Sequence, residues 1–148
     1  MSVRAAYLAY GEAEEREQMD WNPESSQRAR GSPVYAAIRS LGRSGMRAMI
    51  ERCCEHARRF AEELEGFGAE ILNDVVLNQV LLRFESDAAT DRVVSRVQAS
   101  GEAWLGGTTW AERKAIRISV SNWQTTETDV ERTVEAFRAA IAAPAAAR

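Results

Sequence analysis

Chemically versatile residues are scarce in this sequence. Its 148 residues include one histidine, two cysteines and a single lysine, Lys114. His56 alone argues against a metal site built on several imidazoles and against a Ser-His or Cys-His triad within this chain. Cys53 and Cys54 are adjacent, a spacing that suits neither a zinc pair nor a redox pair, so they read as reduced helix residues. That favours the cytoplasm, and no metal is expected. Although 45% of the residues are hydrophobic, the apolar runs are far too short to span a bilayer. The opening residues show no secretory h-region before the acidic stretch that begins at Gly11. A net charge of −3 and a pI near 5.3 give no push toward nucleic acid or an anionic membrane. What remains is the composition of an ordinary soluble domain with one core.

The organised part begins at Ser32-Pro33, serine as N-cap and proline at the first helical position. Val34, Ile38 and Leu41 form an apolar stripe. It resumes after Gly42–Gly45 with Met49 or Ile50, Cys53, Ala57, Phe60 and Leu64, in steps of three and four. Glu55→Arg59 is an i,i+4 pair on the opposite side. Gly42 and Gly45 predict a kink or a short break, and Gly66 and Gly68 a stop. Strands are expected at Ala69–Leu72 and Gln79–Phe84, with a turn at Asn73-Asp74 between them. A helix follows from Asp87 to Gln98, then a strand led by Ala103–Leu105 into Gly106-Gly107, then a strand at Ala115–Val120. Thr126 to Asp129 resembles a capping box, and Val130, Val134, Phe137 and Ile141 stripe the final helix. The fold class is α+β: a long kinked N-terminal helix and a small four-stranded sheet with helices on one face. Residues 1–31 read as an irregular arm, 32–141 as the domain, and 142–148 as a disordered alanine-rich tail.

The chemistry concentrates in Gly106–Thr126. Ile116, Ile118 and Val120 line one face of a strand, with Arg117 and Ser119 on the other. An arginine in mid-strand must stay solvated or find an anion. Asn122, Trp123 and two threonines follow at the strand end, a composition that suits a ligand pocket. A half-exposed strand of a small sheet explains the same pattern.

Four blocks, in this order and spacing, resemble the C-terminal part of the group II pyridoxal-phosphate-dependent amino acid decarboxylases, whose fold is shared with aspartate aminotransferase. They are Ala6-Tyr7-Leu8; Asp20-Trp21-Asn22-Pro23-Glu24 running into Arg28-Ala29-Arg30-Gly31; the helix Tyr35–Ala57 with Leu41-Gly42-Arg43-Ser44-Gly45; and Gly106–Trp123. The resemblance covers nearly the whole chain, down to about residue 140. It implies the small C-terminal domain of that fold, with its entry helix. It also implies that the Schiff-base lysine, the acidic partner of the pyridine nitrogen and the phosphate donors all lie in the large domain, outside this sequence.

Lys114 stands at a strand entrance and reads as a solvated surface lysine. Gly106-Gly107 runs into threonines and a strand, so it is no phosphate loop. No catalytic and no cofactor-binding residue is therefore expected here. The resemblance gives Arg117 the role of holding a substrate carboxylate, a task its planar fork suits. Gly106, Gly107 and Thr108 either line the same pocket or form a simple turn. Tyr10 stands near the place of the family's catalytic loop tyrosine, but its context does not match, and Arg28 and Arg30 read as ion-pair partners. The implied whole enzyme is a cytoplasmic homodimer that uses pyridoxal 5'-phosphate to remove the carboxylate of an amino acid substrate. The alternatives are an aminotransferase fragment, or a stand-alone small-molecule-binding or interaction domain without catalysis.

Overall fold

The computed structural model describes residues 31–143. Tyr10, Trp21, Arg28, Arg30, the rest of the N-terminal arm and the final residues lie outside the described part. The chain divides into two compact units, residues 1–48 and 49–148.

In the first unit the described residues are helical, the opening part of α1 (Gly31–Glu65). The helix is interrupted at Gly42, whose φ of 62° and ψ of −175° are accessible to glycine and strained for any residue with a Cβ. The expected break is therefore at Gly42. Gly45 stays helical, and a Cβ there would come within 3.0 Å of Leu41 Cβ. The stripe residues Val34, Ile38 and Leu41 are exposed, Val34 to 57%.

The second unit holds the rest of α1, then β1 (Glu70–Ile71), β2 (Gln79–Arg83), α2 (Asp87–Ser100), β3 (Gly106–Trp110), β4 (Arg113–Ser119) and α3 (Glu127–Ala142). The four strands form one antiparallel sheet in the order β1-β2-β4-β3. Alternation sends Val80, Leu82, Ile116 and Ile118 to one face. There they join Ala57, Phe60 and Leu64 of α1, Val93 and Val97 of α2, and Val130, Val134 and Phe137 of α3 in a single core. All three helices cover this face, so the expected α+β architecture holds. The stripe of α1 buries Cys53, Ala57, Phe60 and Leu64 but leaves Ile50 half exposed.

Local chemistry sets the element ends. The Oδ1 of Asn73 accepts from Leu81 N at 2.7 Å, and its Nδ2 donates to Gln79 O at 3.2 Å, pinning the return from β1. Ser86 caps α2 by accepting from Ala89 N, and Gly101 ends it in the left-handed region at φ 75°. Thr126 and Asp129 form the reciprocal capping box of α3.

Three expectations change. The third strand starts at Gly106, not in Ala103–Leu105, because pairing to β4 begins at the Gly106↔Arg117 register. The two glycines are thus strand residues, and the turn falls at Ala111-Glu112. Both have positive φ, 47° and 62°, the signature of a two-residue type I′ hairpin. Arg59 pairs with Glu63 at 2.9 Å and with Glu131 of α3 at 3.1 Å, rather than with Glu55. Its partner one turn ahead lies beside α3, so a single guanidinium serves both helices.

Candidate functional site

β4 carries the site. Arg117 sits at its centre, opposite Leu81 of β2 and Gly106 of β3, on the face away from Ile116 and Ile118. Arg117 and Ser119 are exposed, whereas Ile116 and Ile118 are buried. The expected alternation is therefore present, and it aims the guanidinium away from the core. Arg117 lines a cleft of about 480 Å³ at the end of the sheet, together with Trp104, Ser119, Asn122, Thr125 and Asp129.

The far wall of this cleft is a tight loop fixed by side chains. Asn78 Nδ2 donates to Val120 O at 2.9 Å, and Val120 N donates to Asn78 O at 2.9 Å, locking the exit from β4. Asn122 Oδ1 accepts from Gln124 N at 3.0 Å, an Asx-type turn. From α1, Arg52 donates to Trp123 O at 2.9 Å, and His56 Nε2 reaches Thr125 O at 3.3 Å. A carbonyl only accepts, so this contact places the proton on Nε2 of His56. The single histidine, buried in α1, thus serves to position the loop.

Asp129 brings a negative charge to the cleft, and its Oδ2 is held by Thr126. Thr126 N donates to it at 2.8 Å and Thr126 Oγ1 at 2.7 Å. These two hydrogen bonds hold the Asp129 carboxyl below the usual carboxylate range. Asp129 is therefore an anion fixed to the helix start.

The near wall is the approach to β3. Gln98 Nε2 donates to Leu105 O at 2.8 Å, and Arg132 pairs with Glu102 at 2.6 Å. Between these two braces Trp104 is 87% exposed while its neighbour Leu105 is buried. Trp104 did not stand out in the sequence. The signal was an aromatic two residues ahead of the Gly106-Gly107 pair.

The other predicted residues fall as follows. Gly106 lies beside Arg117, and Thr108, two positions on, shares its face of the sheet by alternation. Gly107 pairs with Ile116 and lies on the opposite face. None of these three is among the cleft-lining residues. A Cβ built on Gly106 would meet nothing within 4 Å, so open space adjoins Arg117 there.

Lys114 is half exposed, with Nζ 3.9 Å from Asp91, and it is not a cleft residue. It is the only lysine in the sequence. The glycine pair lies inside a strand, not at a helix N-terminus. The described residues thus do not fit pyridoxal phosphate as its Schiff-base and phosphate site. Among the described residues no group of three His, Cys, Asp or Glu side chains is placed to hold a metal ion. None of the described helices is long and apolar enough to cross a membrane.

No family profile matches the chain. A probable L-tyrosine/L-aspartate decarboxylase of Methanocella arvoryzae is 35% identical over 81 residues, 55% of this chain and 20% of the relative. The structure of Oryza sativa TDC with PLP and tryptamine superposes with a TM-score of 0.70 at 18% identity, over 76% of this chain and 26% of that one. Rhodiola rosea 4-hydroxyphenylacetaldehyde synthase gives a TM-score of 0.69 at 23% identity, over 87% of this chain and 30% of the other. The chain therefore spans about a fifth of the curated relative's length. The resemblance to a part of the group II pyridoxal-phosphate-dependent decarboxylases holds, and so does the fold it implied. Pyridoxal phosphate is the cofactor of that family.

Proposed function

We propose that this chain is the C-terminal segment of a pyridoxal-phosphate-dependent amino acid carboxy-lyase, in which Arg117 holds the α-carboxylate of the substrate. The observation that carries the reading is the position of Arg117. It is a strand arginine on the coreless face of the sheet, at a cleft whose walls are fixed by hydrogen bonds from α1 and α2. A guanidinium meets a carboxylate through two parallel hydrogen bonds, which sets the orientation of the group as well as its position. That orientation determines how the bond to the departing carbon dioxide is presented to the reacting centre. Ser119 and Asn122 add hydrogen-bonding side chains to the same wall.

The cofactor supplies an electron sink for the pair left behind when carbon dioxide departs. Its lysine, its ring partner and its phosphate donors lie outside this sequence, so the chain is inactive on its own. The whole enzyme is a cytoplasmic homodimer acting on an amino acid. The exposed Val34, Ile38 and Leu41 of α1 are the surface that its remaining parts would cover. A second reaction on the same cofactor is the rival. The likeness to an aldehyde synthase, at a TM-score of 0.69, indicates that this fold serves more than one activity.

The test is an assay of the full-length enzyme containing this segment for cofactor-dependent release of carbon dioxide from L-amino acids. The expected result is amine and carbon dioxide in equal amounts. Keto acid formation without carbon dioxide would replace the reading with an aminotransferase.

A further inference from the structure

α1 presents Arg52, His56 and Phe60 in steps of four, so the three lie along one face of the helix. Phe60 lines the Arg117 cleft, and the two residues before it grip the turn that forms the far wall. Their targets are the carbonyls of Trp123 and Thr125, two positions apart. Thr125 N donates to Asn122 O at 3.1 Å and closes the turn on itself. The carbonyls of Asn122, Trp123 and Thr125 thus each have a donor, and the side chains of Asn122, Gln124 and Thr125 line the cleft. Arg59 pairs with Glu131 at 3.1 Å, so the same helix is tied to α3, whose Asp129 and Thr133 complete that wall.

Stability does not call for this arrangement. Most of the turn is exposed, so water would satisfy its carbonyls, and a hydrogen bond exchanged with water gains little. His56 is 6% exposed, in a stripe otherwise made of Cys53, Ala57, Phe60 and Leu64. A leucine there would serve the core without the cost of burying a polar ring. What the imidazole and the guanidinium add is a backbone held in one place, because each donor is aimed at a single atom.

We infer that Arg52 and His56 are positioning residues for a carboxylate on Arg117: they hold the turn 122–125 in place from behind, so the anion meets a second wall already formed. The inference rests on the carboxylate role of Arg117. Neither Arg52 nor His56 lines the cleft, so both act through the turn. A site whose supporting groups are cut loses affinity, because the loosened segment must be ordered when the ligand binds.

The experiment titrates the 148-residue chain with glutarate in ligand-observed NMR and melts each variant alongside. His56→Leu fills the space without a donor, and His56→Gln returns an N–H. Arg52→Met keeps the stem without the head, and Arg52→Lys returns a donor. Arg52 is only half buried, so its two variants should fold as the parent does. His56→Leu and Arg52→Met should each weaken glutarate about three- to ten-fold. His56→Gln and Arg52→Lys should restore most of that loss. Hydrogen exchange at the Thr125 N–H should quicken in the two variants that lose a donor. In an Arg117→Lys background His56→Leu should cost less than it does alone, because both act on one bound anion. If His56→Leu and Arg52→Met lower the melting temperature but leave glutarate unchanged, the pair is structural and the positioning role is refuted. If the losses from His56→Leu and Arg117→Lys multiply in full, the turn acts without Arg117, and the inference is again refuted. If the parent binds glutarate no more tightly than Arg117→Lys does, the clamp itself is refuted and the positioning role falls with it.

Discussion

The hairpin between β3 and β4 carries two residues in a conformation that L-amino acids avoid. Ala111 and Glu112 have φ of 47° and 62° and fill both central positions of the turn. Each such residue costs about 1–2 kcal/mol, from the closeness of its Cβ to a carbonyl oxygen. The register Trp110↔Arg113 and the four pairs behind it hold the turn in place. Replacing the pair with Asn-Gly should remove most of this cost, since asparagine tolerates the left-handed region and glycine has no Cβ there. Glycine returns about 0.5–1 kcal/mol through the entropy of the unfolded chain. The net gain for Ala111→Asn with Glu112→Gly is then about 1–2 kcal/mol. Both side chains are exposed, so no core contact is lost. In urea melts followed by circular dichroism, the midpoint should rise by roughly 0.5–1 M at an unchanged slope of about 2 kcal/mol/M. An unchanged or lower midpoint would refute the claim that this turn stores strain.

Phe137 is fully buried at the centre of the core, and Phe137→Ala should cost about 3–5 kcal/mol in the same melts. The capping box predicts that Thr126→Ala lowers stability by about 1 kcal/mol. The lowered pKa of Asp129 makes its contribution present above the ordinary carboxylate range and lost as pH falls through the lowered native value. The melting-temperature gap to Asp129→Asn should therefore close on acidification. Lys114 is the only lysine, and it stands at the entrance of β4 outside the cleft. Mixing the chain with pyridoxal phosphate and borohydride should give no stoichiometric adduct by mass spectrometry, and an adduct on Lys114 would contradict the assignment of the cofactor site to other residues.

The sequence made the elements legible where periodicity and caps agree. The stripe of α3, the capping box at Thr126 and the alternation of Ile116, Arg117 and Ile118 all stand as read. The β3–β4 turn was hidden because Ala111-Glu112 carries none of the Asn-Gly chemistry that marks a type I′ hairpin, whereas the neighbouring Gly106-Gly107 suggested a turn that is not there. The register of the β3–β4 hairpin, Trp110↔Arg113 through Gly106↔Arg117, decided between them. Arg117 was visible as a charge in a strand. The cleft around it was legible only in part: Asn122 and Thr125 follow Arg117 closely in the chain and read as pocket composition, whereas Trp104 and Phe60 come from other segments. The same holds for His56, whose part in fixing Thr125 depends on a contact 69 residues away.

The central claim is that Arg117 clamps a substrate carboxylate, and the direct measurement is Arg117→Lys in the full-length enzyme, assayed for turnover and for binding of the amine product. Lysine keeps the charge and loses the planar fork. Losing a charge-assisted two-point contact costs about 1.5–3 kcal/mol, which is roughly ten- to more than a hundred-fold in kcat/KM. Cofactor absorbance should remain, because no cofactor contact is assigned to Arg117. Amine binding should be nearly unchanged, since the amine has no α-carboxylate. If amine binding weakens as much as turnover falls, Arg117 supports the structure and the clamp is wrong.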